Sequence, residues 1–161
     1  MPGVLVSHAM TRDPLVATED TSLSEVVSQM RKHRISGLPV VNASGRVVGV
    51  LSQKDVVRAL RLVSADKSTV PPPGWPLDGD WNPAPDQEEF LRRGKAGRAM
   101  SPDPVIIAPN ATLDVAAGIM EERHISRLPV VDGRHLVGIL TRHDIFTAVG
   151  GSKHATAKTS R

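Results

Sequence analysis

The chain has 161 residues, enough for one substantial core or two small ones but too few for a large multidomain enzyme. It contains no cysteine, which excludes disulfides, thiol catalysis and cysteine-ligated zinc, and its 2% aromatic content argues against a stacking platform for single-stranded nucleic acid. The net charge of +3 favours anionic partners, although much of the excess falls in residues 150–161, which we interpret as a solvated, flexible basic tail.

Residues 1–62 predict a β-α-β-β-α unit. The apolar stretch Leu15–Ala17 favours a brief buried strand. Leu38–Val41 is a second strand, whose proline suggests a sheet edge or a strand start, and a glycine-containing turn connects it to a third strand, Val47–Leu51. Ser22 is positioned to cap the first helix. The apolar positions of the two helices are Leu23, Val26, Val27 and Met30, and then Val56, Val57 and Leu60.

Residues 63–95 are interpreted as a linker. The density of proline between residues 66 and 85 predicts a loop or partial disorder. Asp86–Arg93 favours a short helix leading into the next unit. Trp75 and Trp81 either staple the loop to the body of the protein or meet a partner or ligand.

Residues 96–149 repeat the first unit. Shifting the sequence by 90 places Ala9–Val41 on Ala99–Val131, with 12 of 33 positions identical. One residue is then lost at a turn, and Gly49–Asp55 aligns with Gly138–Asp144. The duplicate strands are Val105–Ile107 and the hairpin strand Leu136–Leu140. Thr112 is positioned to cap the first helix of this repeat. The apolar positions of its two helices are Leu113, Ala116, Ala117 and Met120, and then Ile145, Phe146 and Val149.

Each unit has about 50 residues, small for an independent domain, and its sheet has one apolar face to cover. We therefore predict an α+β (α/β) fold. In it, two β-α-β-β-α units pack sheet to sheet as one compact, pseudo-twofold module.

The run HRISGLPVVNASGRVVGVLSQKDVVRAL, echoed by RHISRLPVVDGRHLVGILTRHDIF, resembles the tandem cystathionine-β-synthase (CBS) domain family. The preceding Met-Thr/Ser-x-Asp-Pro elements match as well, and the resemblance covers roughly residues 6–62 and 96–148. It implies two clefts between the repeats that hold AMP, ADP, ATP or S-adenosylmethionine as a regulatory ligand, with no required cofactor. It also implies a disc-shaped homodimer.

Two Ser/Thr-x-x-Asp motifs, Ser52–Asp55 and Thr141–Asp144, lie where a strand runs into a helix. Spacing alone favours an ordinary capping box. A carboxylate there can also accept both ribose hydroxyls, while the hydroxyl and the free helix N–H groups face a phosphate. The resemblance implies one site of Ser52 and Asp55 completed by Val105, Ile125, Ser126 and Arg127. It implies another of Thr141 and Asp144 completed by Met10, Leu15, Ile35, Ser36 and Gly37.

The two sites are unequal, because Arg127 stands where the first repeat has Gly37. Relatives can carry a phosphate-binding base there, and a guanidinium favours polyphosphate through forked hydrogen bonds. The hypothesis is that the Ser52/Asp55/Arg127 site binds phosphorylated nucleotides more tightly. The alternative is that Arg127 is a surface residue.

No residue pattern is arranged for turnover. The histidines lack metal-ligand spacing, and there is no nucleophile elbow or phosphate-cradling loop, so we predict neither an enzyme nor a metal site. No apolar run approaches membrane-spanning length and no secretory signal is present, so we expect a soluble cytoplasmic protein without a membrane partner.

The predicted function is an energy-sensing regulatory module acting on a separate, unknown protein. Two alternatives remain open: a ligand-free dimerisation scaffold, and nucleic-acid binding through the basic surface and tail.

Overall fold

The computed structural model describes residues 3–72 and 81–159, with side chains as far as Gly150. The helices in these ranges are α1 (Val6–Ala9), α2 (Leu23–His33), α3 (Gln53–Val63), α4 (Pro85–Arg93), α5 (Ala96–Ala99), α6 (Leu113–Arg123) and α7 (Arg142–Thr159). The strands are β1 (Thr11–Arg12), β2 (Ala17–Thr18), β3 (Gly37–Val41), β4 (Val47–Ser52), β5 (Ser101–Pro102), β6 (Arg127–Asp132) and β7 (His135–Thr141).

The chain divides into two compact units that do not coincide with the sequence repeats. The repeat-1 unit is Leu15–Pro104, and the repeat-2 unit combines Met1–Pro14 with Val105–Arg161. Each sheet therefore ends on a short strand that belongs to the other repeat in sequence: β5, from the second repeat, pairs with β4, and β1, from the first repeat, pairs with β7. The described residues of the predicted linker, 63–72 and 81–95, belong to the repeat-1 unit. The packing of the repeats into one pseudo-twofold module stays a prediction.

The repeat-1 unit contains a sheet of order β2-β3-β4-β5 covered by α2, α3 and α4. The predicted apolar positions of both helices, listed above, are all buried. Ser22 caps α2 as predicted, since its side chain accepts a hydrogen bond from the Glu25 amide at 3.2 Å. The periodicity thus identified the core-facing sides of α2 and α3 correctly.

The repeat-2 unit contains a sheet of order β1-β7-β6, and Ile107 forms a parallel bridge to Val130 on β6. Leu113, Ala116 and Met120 on α6 are buried, as predicted. Thr112 precedes α6 but its side chain makes no capping hydrogen bond, so that prediction is wrong. Its hydroxyl instead hydrogen-bonds the Asp114 carboxylate, which lowers the pKa of that group.

Pro39 lies on an inner strand of its sheet, which contradicts the edge prediction, whereas Pro129 lies on β6, the last strand of the β1-β7-β6 sheet, as that prediction allows. Neither proline is at a strand start. Strand β3 pairs with β2 on one side and β4 on the other. In the second repeat, the Pro129 carbonyl accepts from the Ile107 amide at 3.0 Å, on the side of β6 away from β7. Because a residue's nitrogen and carbonyl face the same side of a strand, the missing N–H removes no bond of the β6–β7 ladder.

Three apolar predictions are corrected by exposure. Leu15 and Val16 are 39% and 46% exposed, so the first strand is reduced to Ala17–Thr18. In the second repeat Ile106 is 49% exposed and only Ile107 makes a bridge. Phe146 on α7 is 76% exposed, although its neighbour Ile145 is buried. Leu15, Val16 and Ile106 are exposed because the short segments that carry them have one partner strand at most.

The segment between the repeats packs onto the repeat-1 unit. The predicted helix is present as α4, which contacts α2 and α3. A 3-10 turn at Lys67–Thr69 interrupts the predicted loop. Trp81 staples the segment as predicted, packing on the core with the Arg31 guanidinium 5.6 Å from its ring centroid. Trp75 and the rest of residues 73–80 lie outside the described residues.

Gln87 on α4 is a fully buried polar residue that the sequence did not reveal. Its Nε2 donates to the hydroxyls of Thr69 at 2.8 Å and Ser64 at 3.2 Å, and its Oε1 accepts from the Ala84 amide at 2.9 Å. These three hydrogen bonds join α4 to the segment that precedes it in sequence. The hydrogen-bonding groups of the buried Gln87 side chain are therefore satisfied by the chain that precedes α4.

Replacing Gln87 with alanine is expected to lower the free energy of unfolding by about 1–3 kcal/mol, because it removes three hydrogen bonds of a buried side chain and leaves the Ala84 amide without its acceptor. Urea denaturation would measure the loss. The exposed neighbour Glu88 provides the control, since Glu88→Ala removes a similar volume from the same helix without breaking this network. Equal losses from the two variants would show that the network contributes nothing.

Helix α7 continues to Thr159, so the backbone is helical through most of the segment predicted as a flexible tail. Among the described residues, no helix combines the length and apolar character needed to cross a bilayer.

Candidate functional site

The first motif forms a complete capping box at the junction of β4 and α3. The Asp55 amide donates to Ser52 Oγ at 3.3 Å, and Asp55 Oδ2 accepts from the Ser52 amide at 2.9 Å. The Ser52 hydroxyl donates to the same carboxylate oxygen at 3.0 Å. The capping interpretation of this motif is therefore correct, which does not exclude a second role.

The other oxygen of Asp55 is also occupied. Ser101 Oγ, on β5, donates to Asp55 Oδ1 at 3.1 Å, and the Arg58 guanidinium lies 3.4 Å from the same atom. Asp55 is only 4% exposed. Both carboxylate oxygens are thus surrounded by donors of the chain itself, as a buried charge requires.

The second motif repeats the capping bonds at the junction of β7 and α7. Asp144 Oδ2 accepts from the Thr141 amide at 2.8 Å, and the Asp144 amide donates to Thr141 Oγ1 at 3.1 Å. Within its unit, however, Asp144 Oδ1 has no hydrogen-bond partner among the described residues, and the side chain is half-buried. One carboxylate oxygen therefore remains able to accept hydrogen bonds from a ligand.

Each motif lies beside the Ile-Ser segment of its own repeat. Gly37 pairs with Ser52, and the Ser36 carbonyl accepts from the Gln53 amide at 2.9 Å. Ile35, half-buried, packs against the repeat-1 core.

In the second repeat the arrangement is the same. Arg127 pairs with Thr141, and the Ser126 carbonyl accepts from the Arg142 amide at 2.9 Å. The Ile125 carbonyl accepts from the Arg142 guanidinium at 3.3 Å. Since directly opposed residues share a face of an antiparallel pair, Arg127 and Thr141 project to the same side of the hairpin. The combination of each motif with residues of the other repeat stays a prediction.

The remaining predicted residues divide between the units. Met10 is buried in the repeat-2 core and Val105 packs against that core, whereas the exposed Leu15 belongs to the repeat-1 unit. Met10 lies directly over Gly138, where an added Cβ would be 2.6 Å from its sulfur. Met10 and the Thr141–Asp144 motif therefore belong to one unit and share strand β7 as support.

Sequence reasoning missed two residues that contact Asp55: Ser101 and Arg58. Arg58 follows Asp55 at the i+3 spacing of a helical ion pair, a signal that was available. Ser101 lies 46 residues away in sequence, and no local pattern predicts its contact. No group of three or more His, Cys, Asp or Glu side chains in the described ranges is placed to hold a metal ion.

The family model named CBS domain matches residues 6–62 and 96–151. The chain belongs to the CBS domain family. Both Ser/Thr-x-x-Asp motifs and both Ile-Ser segments fall inside the matched regions. The mixed α+β architecture with two repeats is thereby confirmed as that of a CBS domain pair.

Relatives in sequence include proteins of different lengths. The uncharacterized protein MJ1426 of Methanocaldococcus jannaschii is 33% identical over 91% of this chain and 92% of its own length. The chloroplastic CBS domain-containing protein CBSX1 of Arabidopsis thaliana is 32% identical, over 89% of this chain and 63% of the relative. The L-aspartate semialdehyde sulfurtransferase of M. jannaschii is 30% identical, but this chain spans only 24% of it.

Solved structures of CBS domain pairs share the fold. The CBS domain pair of protein MJ0100, in complex with 5′-methylthioadenosine and S-adenosyl-L-methionine, has a TM-score of 0.70 and 26% identity, covering 94% of this chain and 99% of the neighbour. CBSX2 in complex with AMP has a TM-score of 0.68 and 25% identity, with the same coverage.

Proposed function

We propose that this CBS domain pair is a regulatory module that binds an adenine nucleotide or another adenosyl ligand. The observation that carries the proposal is the pair of strand-to-helix Ser/Thr-x-x-Asp motifs, folded alike in both repeats. Support also comes from two similar pairs whose structures contain AMP, or 5′-methylthioadenosine and S-adenosyl-L-methionine.

The chemistry of the second motif suits the ribose of such a ligand. A carboxylate with one oxygen anchored by the Thr141 amide is held in a fixed orientation. Its other oxygen can accept hydrogen bonds from vicinal hydroxyls, and charge-assisted bonds of this type are stronger than neutral ones. The first turn of α7 adds N–H groups and a positive helix end for a phosphate.

The proposed output is a change of conformation read by a separate protein or by a second copy of this chain. A ligand shifts such an equilibrium only by the difference between its affinities for the two states. In this proposal the protein acts as a homodimer and catalyses no reaction. A ligand-free scaffold is the alternative outcome of the test.

Isothermal titration with AMP, ADP, ATP and S-adenosylmethionine tests the proposal. At least one of these ligands is expected to bind, and Asp144→Ala is expected to weaken it by at least about tenfold, since hydrogen bonds to a charged group contribute about 1.5–3 kcal/mol. Glu121→Ala, an exposed acid on α6, is the control for the loss of one negative charge. No heat and no thermal stabilisation with any of the four would favour the scaffold.

Arg127→Ala is expected to weaken AMP and ATP at least about tenfold while leaving adenosine nearly unchanged, because a guanidinium can make paired, charge-assisted bonds to a phosphate. The paired titrations with nucleotide and nucleoside measure the difference. Arg123→Ala, an exposed arginine at the end of α6, controls for a general loss of positive charge. Equal losses of nucleotide and nucleoside would assign Arg127 a structural role.

A further inference from the structure

We propose that the Ser52–Asp55 motif is closed by the chain's own side chains and holds β5 to α3, which leaves Thr141–Asp144 as the motif that takes a ligand. The closure itself needs only the structure of the repeat-1 unit. The assignment of the ligand to the second motif rests on the proposed function. The sequence hypothesis assigns phosphorylated nucleotides to the first motif together with Arg127. The inference reverses that order and assigns Arg127, which pairs with Thr141 across the β6–β7 hairpin, to the second motif.

The two carboxylates differ in what surrounds their second oxygen. Asp55 Oδ1 receives the Ser101 hydroxyl at 3.1 Å and the Arg58 guanidinium at 3.4 Å. A ribose diol approaching this oxygen would have to displace both groups and reach a side chain that is 4% exposed. Removing satisfied partners from a buried carboxylate is costly, so the exchange gains little.

The second repeat has different residues at the corresponding positions. The counterpart of Arg58 is Thr147, whose hydroxyl lies 3.4 Å from the His143 ring instead of at Asp144. The counterpart of Ser101 is Thr11, and no hydrogen bond joins it to Asp144 within their unit. The difference is therefore encoded by two substitutions between otherwise similar repeats.

The closed motif has a structural use. Strand β5 consists of two residues and pairs with β4 only at Gly49 and Val50, a short edge with little hydrogen bonding of its own. The Ser101–Asp55 bond adds an attachment from β5 to the first turn of α3. Asp55 thus joins three elements: the end of β4, the start of α3 and β5.

The test separates stability from ligand binding. Ser101→Ala is expected to destabilise the protein in urea and to leave its AMP affinity unchanged, whereas Asp144→Asn is expected to weaken AMP at least about tenfold with a small effect on stability. Thr11→Ala in the other repeat is the matched control for Ser101→Ala, and no loss of stability is expected from it. A Ser101→Ala variant that loses AMP as severely as Asp144→Asn would overturn the assignment.

A double-mutant cycle tests the closure without any ligand. Ser101→Ala and Asp55→Asn are expected to be coupled by about tenfold in the unfolding equilibrium constant, since each removes one side of the same charge-assisted bond. Additive effects would overturn the closure. If the wild-type protein binds none of the four adenosyl ligands, the proposed function and the role of Asp144 fail together, while the cycle still decides whether Asp55 is closed.

Discussion

Replacing Leu140 with alanine is expected to lower the free energy of unfolding by about 2–5 kcal/mol, the range for truncating a fully buried leucine. Leu140 has no exposed surface, belongs to the repeat-2 core and pairs with the equally buried Leu128 across the hairpin. It immediately precedes Thr141, so the loss of packing occurs at the strand end that positions the Asp144 motif. Urea denaturation, followed by circular dichroism, would measure the change.

Leu62→Ala is the matched control, because Leu62 is 78% exposed on α3 and the same substitution there removes few contacts. A change within about 0.5 kcal/mol is expected for that surface position. If the two leucine variants lost the same stability, the burial of Leu140 would not describe the protein in solution.

Replacing Gly138 with alanine is expected to lower the free energy of unfolding by about 1–3 kcal/mol through overpacking. An added Cβ would lie 2.6 Å from the Met10 sulfur and 2.8 Å from the Thr11 carbonyl oxygen. The methionine can rotate away, but the carbonyl belongs to β1, which is paired with β7 at this position. The strand pairing must therefore shift to admit one methyl group.

The same change at Gly118, from glycine to alanine, is expected to raise the free energy of unfolding instead of lowering it. Gly118 lies inside α6, and nothing lies within 4 Å of its added Cβ. Alanine is favoured over glycine in a helix interior by up to about 1 kcal/mol, so this variant is expected to be more stable than the wild type. A Gly138→Ala variant as stable as Gly118→Ala would contradict the close approach of β1 to β7.

The repeat, the order of elements and the main core positions were predictable from the sequence. The spacing of Leu23, Val26, Val27 and Met30 identifies one face of a helix, because apolar residues at i, i+3, i+4 and i+7 share a side of it. These four residues are buried. Ser52–Asp55 was also recognisable as a capping box, since its bonds join residues three positions apart.

Predictions about short strands were less accurate. Leu15, Val16 and Ile106 are apolar but exposed, because two-residue strands and isolated bridges bury few side chains. Pro39 predicts an edge or a strand start, yet it lies inside β3, which has partners on both sides. In each case the outcome depends on which segment lies alongside, and local composition does not specify that neighbour.

Local spacing and repetition within the chain are enough to identify the duplication, the α+β class, the resemblance to CBS domains and the two matched motifs. The difference between the two motifs follows from the three-dimensional contacts of each unit. Ser101 reaches Asp55 across 46 positions of sequence, and no corresponding bond reaches Asp144 from the described residues of its unit. A buried carboxylate takes whatever donors the fold brings to it, so whether it is closed or open depends on contacts between distant segments.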